Sequence, residues 1–116
     1  MDVTWNETLL DQLEWHWRNH LRPRLAGLSD DEYFAEPVAG CWNVRPRGRS
    51  SAPIAAGSGA FTIDFAIPEP DPPPVTTIAW RFGHLIVGVL GMRVASHFAG
   101  PAVDYQKFDC CTSTGK

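Results

Sequence analysis

The sequence predicts an all-α fold, in which a long crossover rich in Pro and Gly joins two long helices. Apolar residues recur at spacings of three and four along residues 4–25, as they do on a helix with one buried face. Residues 76–98 are apolar and long enough for a second helix, whereas residues 37–74 fit no amphipathic helix. A chain of 116 residues with an apolar fraction of 44% is ordinary for one soluble domain.

The first helix is expected to run from Thr4 to about Leu25. Thr4 and Glu7 have the spacing of a capping box, in which a hydroxyl and a carboxylate satisfy the first free N–H groups. Pro23 predicts a kink in the last turns, and Gly27 is a good terminator. The face that this helix would bury is formed by Leu10, Leu13, Trp17, Leu21 and Leu25.

A short second helix is expected to begin after Ser29 and to stop before Pro37, because Ser29 is a good N-cap and is followed by three acidic residues. In the crossover, Cys41–Arg45 is a short extended piece, and Phe61–Ile67 alternates apolar and polar residues as a strand does. These two pieces either pair as a small hairpin or line a long ordered loop. The stiff, polyproline-like run Pro68–Pro74 then leads to the second long helix.

The second long helix begins after Thr76 or Thr77 and extends to about Phe98. Its most informative residue is His84, an imidazole in the middle of an apolar helix. The side of the helix that carries His84 also carries Thr77, Arg81, Gly88, Gly91 and Ala95. The opposite side, which is expected to pack, carries Ile78, Phe82, Leu85, Val89 and Leu90. His84 is therefore either a residue facing a cleft, where it meets a metal or substrate, or a core histidine bonded to a neighbouring carbonyl.

Three other histidines are weaker candidates. His16 and His20 are four residues apart, so that two imidazoles on one helix could share a metal ion; otherwise one faces solvent and the other caps the kink before Pro23. No HExxH motif is present, which excludes a zinc peptidase of that type. His97, near the end of the second long helix, is expected to favour the negative end of the helix dipole.

Several classes of protein are disfavoured by composition. The net charge is −3 and no stripe of Lys and Arg is present, so no nucleic-acid partner is expected. The first residues lack the pattern of a signal peptide, and Arg81, His84 and Arg93 would be costly inside a bilayer, so neither export nor a membrane partner is expected. Cys110 and Cys111 are adjacent and make no disulfide framework, which favours the cytoplasm.

Two helices and a loop leave more apolar surface than they can cover, since each helix has an apolar stripe wider than one partner. Five tryptophans add to this load. The helices are therefore expected to pair with a second subunit or to form the first half of a larger bundle.

The order and spacing of several pieces resemble the DinB-like family of metal-dependent proteins, of the actinobacterial type. The similarity spans about residues 5 to 108 and is carried by Leu10–Trp17, Arg22–Tyr33, Glu36–Arg45 and Thr76–Leu85. The resemblance implies an up-down four-helix bundle with a long first-to-second crossover. Residues 1–108 would then be the N-terminal part of a DinB-like domain, and residues 109–116 an unrelated or disordered tail.

The resemblance also implies a metal site. In the family, three histidines bind a divalent metal, of which one lies in the position that His84 matches and two come from an HxxxH pair on a later helix. That later pair is not present in this sequence, and His16 and His20 lie on a different helix. The expected function is that of a metal-dependent enzyme of the thiol-transferase type, incomplete as it stands, with Zn or Ni, a low-molecular-weight thiol and a small-molecule substrate. The alternative is a non-catalytic helical module that forms a homodimer.

Overall fold

The fold is mixed α/β, with two long helices and a three-stranded antiparallel sheet. It is seen in a computed structural model, which describes residues 4–107. The prediction of an all-α fold, and of a four-helix bundle with it, is therefore wrong. The crossover that was expected to be a hairpin or a loop folds into the sheet that carries the core.

Helix α1 consists of an α-helical segment Trp5–His16, a π-helical turn Trp17–Leu21 and a final α-helical turn Arg22–Leu25. Its start follows the sequence prediction, since the Glu7 amide donates to the Thr4 hydroxyl and the Thr4 amide donates to the Glu7 carboxylate, both at 3.2 Å. The π turn ends at Leu21, two residues before Pro23. Proline lacks an N–H and its ring crowds the carbonyl four residues earlier, so a wider turn accommodates it without ending the helix.

Helix α1 buries none of its residues, although it has the apolar stripe expected of a core helix. Leu25 is half-buried, and the exposed fractions of the other large apolar side chains run from 40% at Leu21 to 83% at Trp5. The predicted helix is present, but the described part of the chain provides no surface that covers it.

Helix α2, Asp30–Tyr33, begins at the predicted cap, where the Glu32 amide donates to the Ser29 hydroxyl at 3.2 Å. Tyr33 and the C-cap residue Phe34 contact the second long helix and the sheet, respectively. Tyr33 lies 6.1 Å from Phe82 and Phe34 lies 6.3 Å from Phe61, measured between ring centroids.

The sheet contains β1 (Val44–Pro46), β2 (Ile54–Ala56) and β3 (Phe61–Phe65), in the order β1-β3-β2. Strand β3 pairs with both neighbours in antiparallel fashion. Of the two alternatives for the extended pieces, pairing or a loop, pairing is observed, between β1 and β3. Strand β2 was not predicted, because three residues are too short to show alternation.

Helix α3 runs through Ile78–His84, a π-helical segment Leu85–Gly91 and Met92–Phe98. The Trp80 amide donates to the Thr77 hydroxyl at 3.1 Å, which confirms Thr77 as the cap. The buried residues of the helix are small or medium-sized and lie at spacings of four, namely Ala79, Gly83 and Val87. Ala79 and Val87 form one core cluster with the sheet residues Val44, Ala56 and Ile63.

The face of α3 that was expected to pack is only partly covered: Phe82 and Val89 are half-buried, Ile78 and Leu85 are each 38% exposed, and Leu90 is 55% exposed. The close approach of helix to sheet explains the difference, because Ala79 and Gly83 let the backbone come nearer to the strands than Leu or Ile would. Helix α3 ends at Ala99, which has a positive φ of 54°.

Helix Ile78–Phe98 is long and apolar enough to cross a membrane, with a mean hydropathy of 1.3; within residues 4–107 it is the single helix that meets this test. That is weak evidence, because core helices of soluble proteins meet the same test. The tail predicted for residues 109–116, including Cys110 and Cys111, lies outside the described residues.

Candidate functional site

The candidate site is centred on His84, which is half-buried on α3. Its Nδ1 is hydrogen-bonded to the hydroxyl of Tyr105. The imidazole also stacks on Trp80, with centroids 5.1 Å apart and planes 14° apart, and lies nearly parallel to Tyr105 at 6.2 Å. The ring is therefore held on one face by Trp80 and at one nitrogen by Tyr105. The partner of His84 is a hydroxyl and not the backbone carbonyl that the sequence suggested.

Tyr105 reaches His84 because the chain turns back after Ala99 and passes over the stripe of small residues on α3. A Cβ at Gly88 would overlap the Tyr105 hydroxyl and would lie 3.2 Å from Nδ1 of His84. A Cβ at Gly91 would likewise lie 3.2 Å from Val103. The small residues beside His84 thus make room for the returning chain, and the space that the sequence predicted there is filled by Val103 and Tyr105.

Aromatic rings form the wall of the site. Trp42 lies 5.7 Å from Trp80 and 5.4 Å from Phe65, and Phe65 stacks on Tyr105 at 6.1 Å, all measured between ring centroids. The indole N–H of Trp80 donates to the carbonyl of Asp64 at 2.8 Å, which fixes the ring against β3. The wall is apolar, with an imidazole at its edge, as is common in sites that bind small molecules.

The chemistry available at His84 follows from its two ring nitrogens. Burial raises the pKa of Tyr105, so the phenol stays protonated and neutral at physiological pH. Residues 4–107 offer no hydrogen-bond partner to Nε2 of His84. In the tautomer whose proton lies on Nδ1, that proton is donated to the Tyr105 oxygen and the lone pair of Nε2 is left for a ligand.

A complete metal site is not formed by the described residues. Within residues 4–107 no three side chains of His, Cys, Asp or Glu come together as a group that could hold an ion. Structural and catalytic zinc sites use three or four protein ligands. The described chain therefore fits a metal site only as the source of one imidazole, His84.

The other histidines lie elsewhere. The rings of His16 and His20 are 5.5 Å apart on the exposed surface of α1, and Trp15 lies about equally close to both, at 5.1 and 5.0 Å. His97 is exposed near the end of α3, beside Phe98. Neither prediction of a role for these residues is tested by the geometry.

A buried polar cluster beneath the site was missed by the sequence analysis. The carboxylate of Asp64 accepts hydrogen bonds from the backbone N–H of Asn43 at 3.0 Å, from Nε of Arg45 at 2.9 Å and from the Ser50 hydroxyl at 2.6 Å. Arg45 also forms an ion pair with Glu36. Burial by itself lowers the pKa of Arg45, but the bonds and charges of Asp64 and Glu36 outweigh it, and the net shift is upward.

The same cluster fixes the start of α3. The side-chain oxygen of Asn43 accepts from the Thr77 hydroxyl at 2.8 Å, and the Thr77 hydroxyl in turn caps the helix. The alternating pattern Phe61–Ile67 was the one available signal, since it places a carboxylate, Asp64, inside a strand. Cys41, next to the cluster, is buried, and that burial together with the charge of Glu36 raises the pKa of its thiol. Its thiol is therefore a poor nucleophile.

No family model, curated protein or solved structure matches this chain. The resemblance to the DinB-like family is therefore supported by the residues named above and by nothing further. What that resemblance implies for function enters below as a proposal, tested against the geometry of His84.

Proposed function

We propose that this chain belongs to a DinB-like protein and supplies His84 as one ligand of a divalent metal, Zn or Ni, in a cytoplasmic enzyme of the thiol-transferase type. The observation that supports this best is the setting of the imidazole. Nδ1 is bonded to Tyr105, while Nε2 has no partner within residues 4–107. Metal-binding histidines commonly have one ring nitrogen bonded to an orienting group, which fixes the tautomer and the direction of the other.

The residues around His84 have defined tasks in such a site. Tyr105 and Trp80 hold the imidazole plane, and the aromatic wall excludes water from the side of the ring that faces the sheet. A divalent metal supplies Lewis acidity, which lowers the pKa of a bound low-molecular-weight thiol. The further ligands come from outside residues 4–107 or from a second copy of the chain.

Calorimetric titration with Ni²⁺ and Zn²⁺ tests this function. The wild-type chain is expected to bind one of these ions, and His84→Ala is expected to weaken that binding about tenfold or more. The loss of a residue that only orients a metal ligand already lowers metal affinity by about 10- to 100-fold. His97→Ala is the matched control, since His97 is exposed and lies on the same helix. Binding that is unchanged in His84→Ala, or no binding by the wild type, contradicts the metal role.

A second candidate function, helix-mediated self-association into a homodimer, is favoured by the exposure of α1. Trp5, Trp15 and Trp17 are 83%, 54% and 44% exposed. An aromatic side chain buries roughly 150–250 Å², so these three rings leave on the order of 350 Å² in water. Stable interfaces bury about 800 Å² per partner, and the exposed leucines of α1 add to the aromatic area.

Sedimentation velocity over a range of protein concentrations tests self-association. A dimer is expected at micromolar concentration, and it should persist in chelator because leucine and tryptophan side chains, and not a metal ion, hold the two copies together. A single monomeric species at every concentration contradicts this candidate and leaves the proposal for His84 untouched.

A further inference from the structure

We propose that two copies of this chain associate through helix α1 in antiparallel orientation, with the twofold axis passing between residues 14 and 15. The inference rests on the self-association proposed above and adds its surface, its partner and its register. Two stripes on α1, one charged and one apolar, carry the argument.

The charged stripe changes sign at the middle of the helix. Its residues follow one another at spacings of four, three, four and four, and are Glu7, Asp11, Glu14, Arg18 and Arg22. Such spacings place the side chains on one side of a helix. The structure agrees at the centre of the stripe, where Arg18 lies 3.6 Å from Glu14 and both line one shallow groove with Asp11. The first half of the stripe is acidic and the second half is basic.

The apolar stripe runs beside the charged one and contains Leu10, Leu13, Trp17 and Leu21, which are 57%, 67%, 44% and 40% exposed. Leu13, Trp17 and Leu21 line a single groove of about 240 Å³, together with His16, His20 and Arg24. Steps of four residues drift around an α-helix by about 40° each. The wider π turn at Trp17–Leu21 takes up part of this drift and keeps the stripe straight.

The direction of pairing follows from the charges. A parallel pair would place acidic half against acidic half and basic half against basic half. An antiparallel pair places Asp11 opposite Arg18 of the second copy, and Glu7 opposite Arg22 of the second copy. Both pairs have their midpoint between residues 14 and 15, so one register satisfies them together. The contact is the same from either copy, which closes the assembly as a dimer.

The two stripes have separate tasks in this dimer. Exposed ion pairs contribute little free energy, so the apolar stripe supplies most of the affinity. The charged stripe sets orientation and register, because like charges brought together across an interface are strongly unfavourable. Because the acidic half of the stripe matches the basic half when the helix is reversed, a second copy of this chain is the partner that fits the charge pattern.

A charge exchange tests the register. In a dimer of Asp11→Arg, the new arginine of each copy faces Arg18 of the other copy. In a dimer of Arg18→Asp, the new carboxylate of each copy faces Asp11 of the other copy. Each variant alone is expected to dimerise about tenfold or more weakly than wild type in sedimentation velocity. In an equimolar mixture, every arginine faces a carboxylate, so a heterodimer is expected at close to wild-type affinity.

The controls are Asp71→Arg and Arg93→Asp, which make the same charge changes at exposed positions away from α1 and should leave the dimer unchanged. Circular dichroism checks that each variant keeps its helix; where one does not, Asp11→Lys with Arg18→Glu repeats the exchange. Dimerisation undiminished in both single variants, or lost and not recovered in the mixture, overturns the antiparallel α1 register. A wild-type chain that stays monomeric overturns self-association itself.

Discussion

Nδ1 of His84 is hydrogen-bonded to the hydroxyl of Tyr105, and there is room for this contact because residue 88 is a glycine. The glycines beside His84 were identified from the sequence as the small side of the helix. The sequence could not show what these glycines make room for, because Tyr105, which packs against them, lies 21 positions along the chain from His84. The histidine was predictable and its partner was not.

The ionisation of Tyr105 provides a prediction at this scale. Burial raises the pKa of Tyr105 in the folded chain, whereas in the unfolded chain tyrosine titrates near 10. As the pH rises, the phenol therefore loses its proton in the unfolded state before it does so in the folded state. The free energy of unfolding is therefore unaffected by this group below pH of about 10, and falls as the pH rises through the pKa of the folded state. Urea unfolding at pH from about 8 to 11 measures the effect, and Tyr105→Phe should reduce the fall.

Absorbance of tyrosinate near 295 nm gives an independent measurement of the same group. The chain has two tyrosines, so subtracting the titration curve of Tyr105→Phe from that of the wild type isolates residue 105. An isolated curve with a midpoint at or below that of a model peptide contradicts the burial of the hydroxyl.

Among the elements, the joint between the sheet and α3 depends on two polar residues, Asp64 and Asn43. Strand β3 contributes Asp64 and the residue before β1 contributes Asn43, and the Asp64 amide also donates to the Asn43 carbonyl at 3.1 Å. The sequence predicted the strand and the helix separately, with Thr76 or Thr77 as the cap, since those signals are local. Asn43, which joins the two elements through Thr77, is 34 residues away from it in sequence.

Asp64→Ala is expected to lower the free energy of unfolding by about 3 kcal/mol, because it leaves a partly buried guanidinium and a buried backbone amide without their acceptor. Urea unfolding followed by tryptophan fluorescence measures the loss. Asp71→Ala, at an exposed position in the Pro-rich segment, is the control and should change stability little. A loss at Asp64 no larger than that at Asp71 would show that the cluster does not hold the joint.

The core of the molecule lies between the sheet and the first half of α3. The buried residues come from the sheet, the segment before it and the first half of α3, while α1 buries none. The radius of gyration is 16.6 Å and the longest dimension is 56 Å. A compact chain of this length has a radius of roughly 13–14 Å. This exposure of apolar helix surface is why a second copy, paired along α1, is the partner that we propose.

Local chemistry let the sequence alone determine three things: the helix starts at Thr4, at Ser29 and at Thr76 or Thr77, the exclusion of amphipathic helix from the crossover, and the prominence of His84. A capping hydroxyl and a repeat of three and four depend on neighbours within one or two turns, so they can be found without a fold. The tertiary structure decided the rest. It turned the crossover into a sheet, selected the Ala79–Gly83 face of α3 for burial and brought Tyr105 to His84. Each of these depends on how closely distant segments can approach, and that distance is fixed only when they pack.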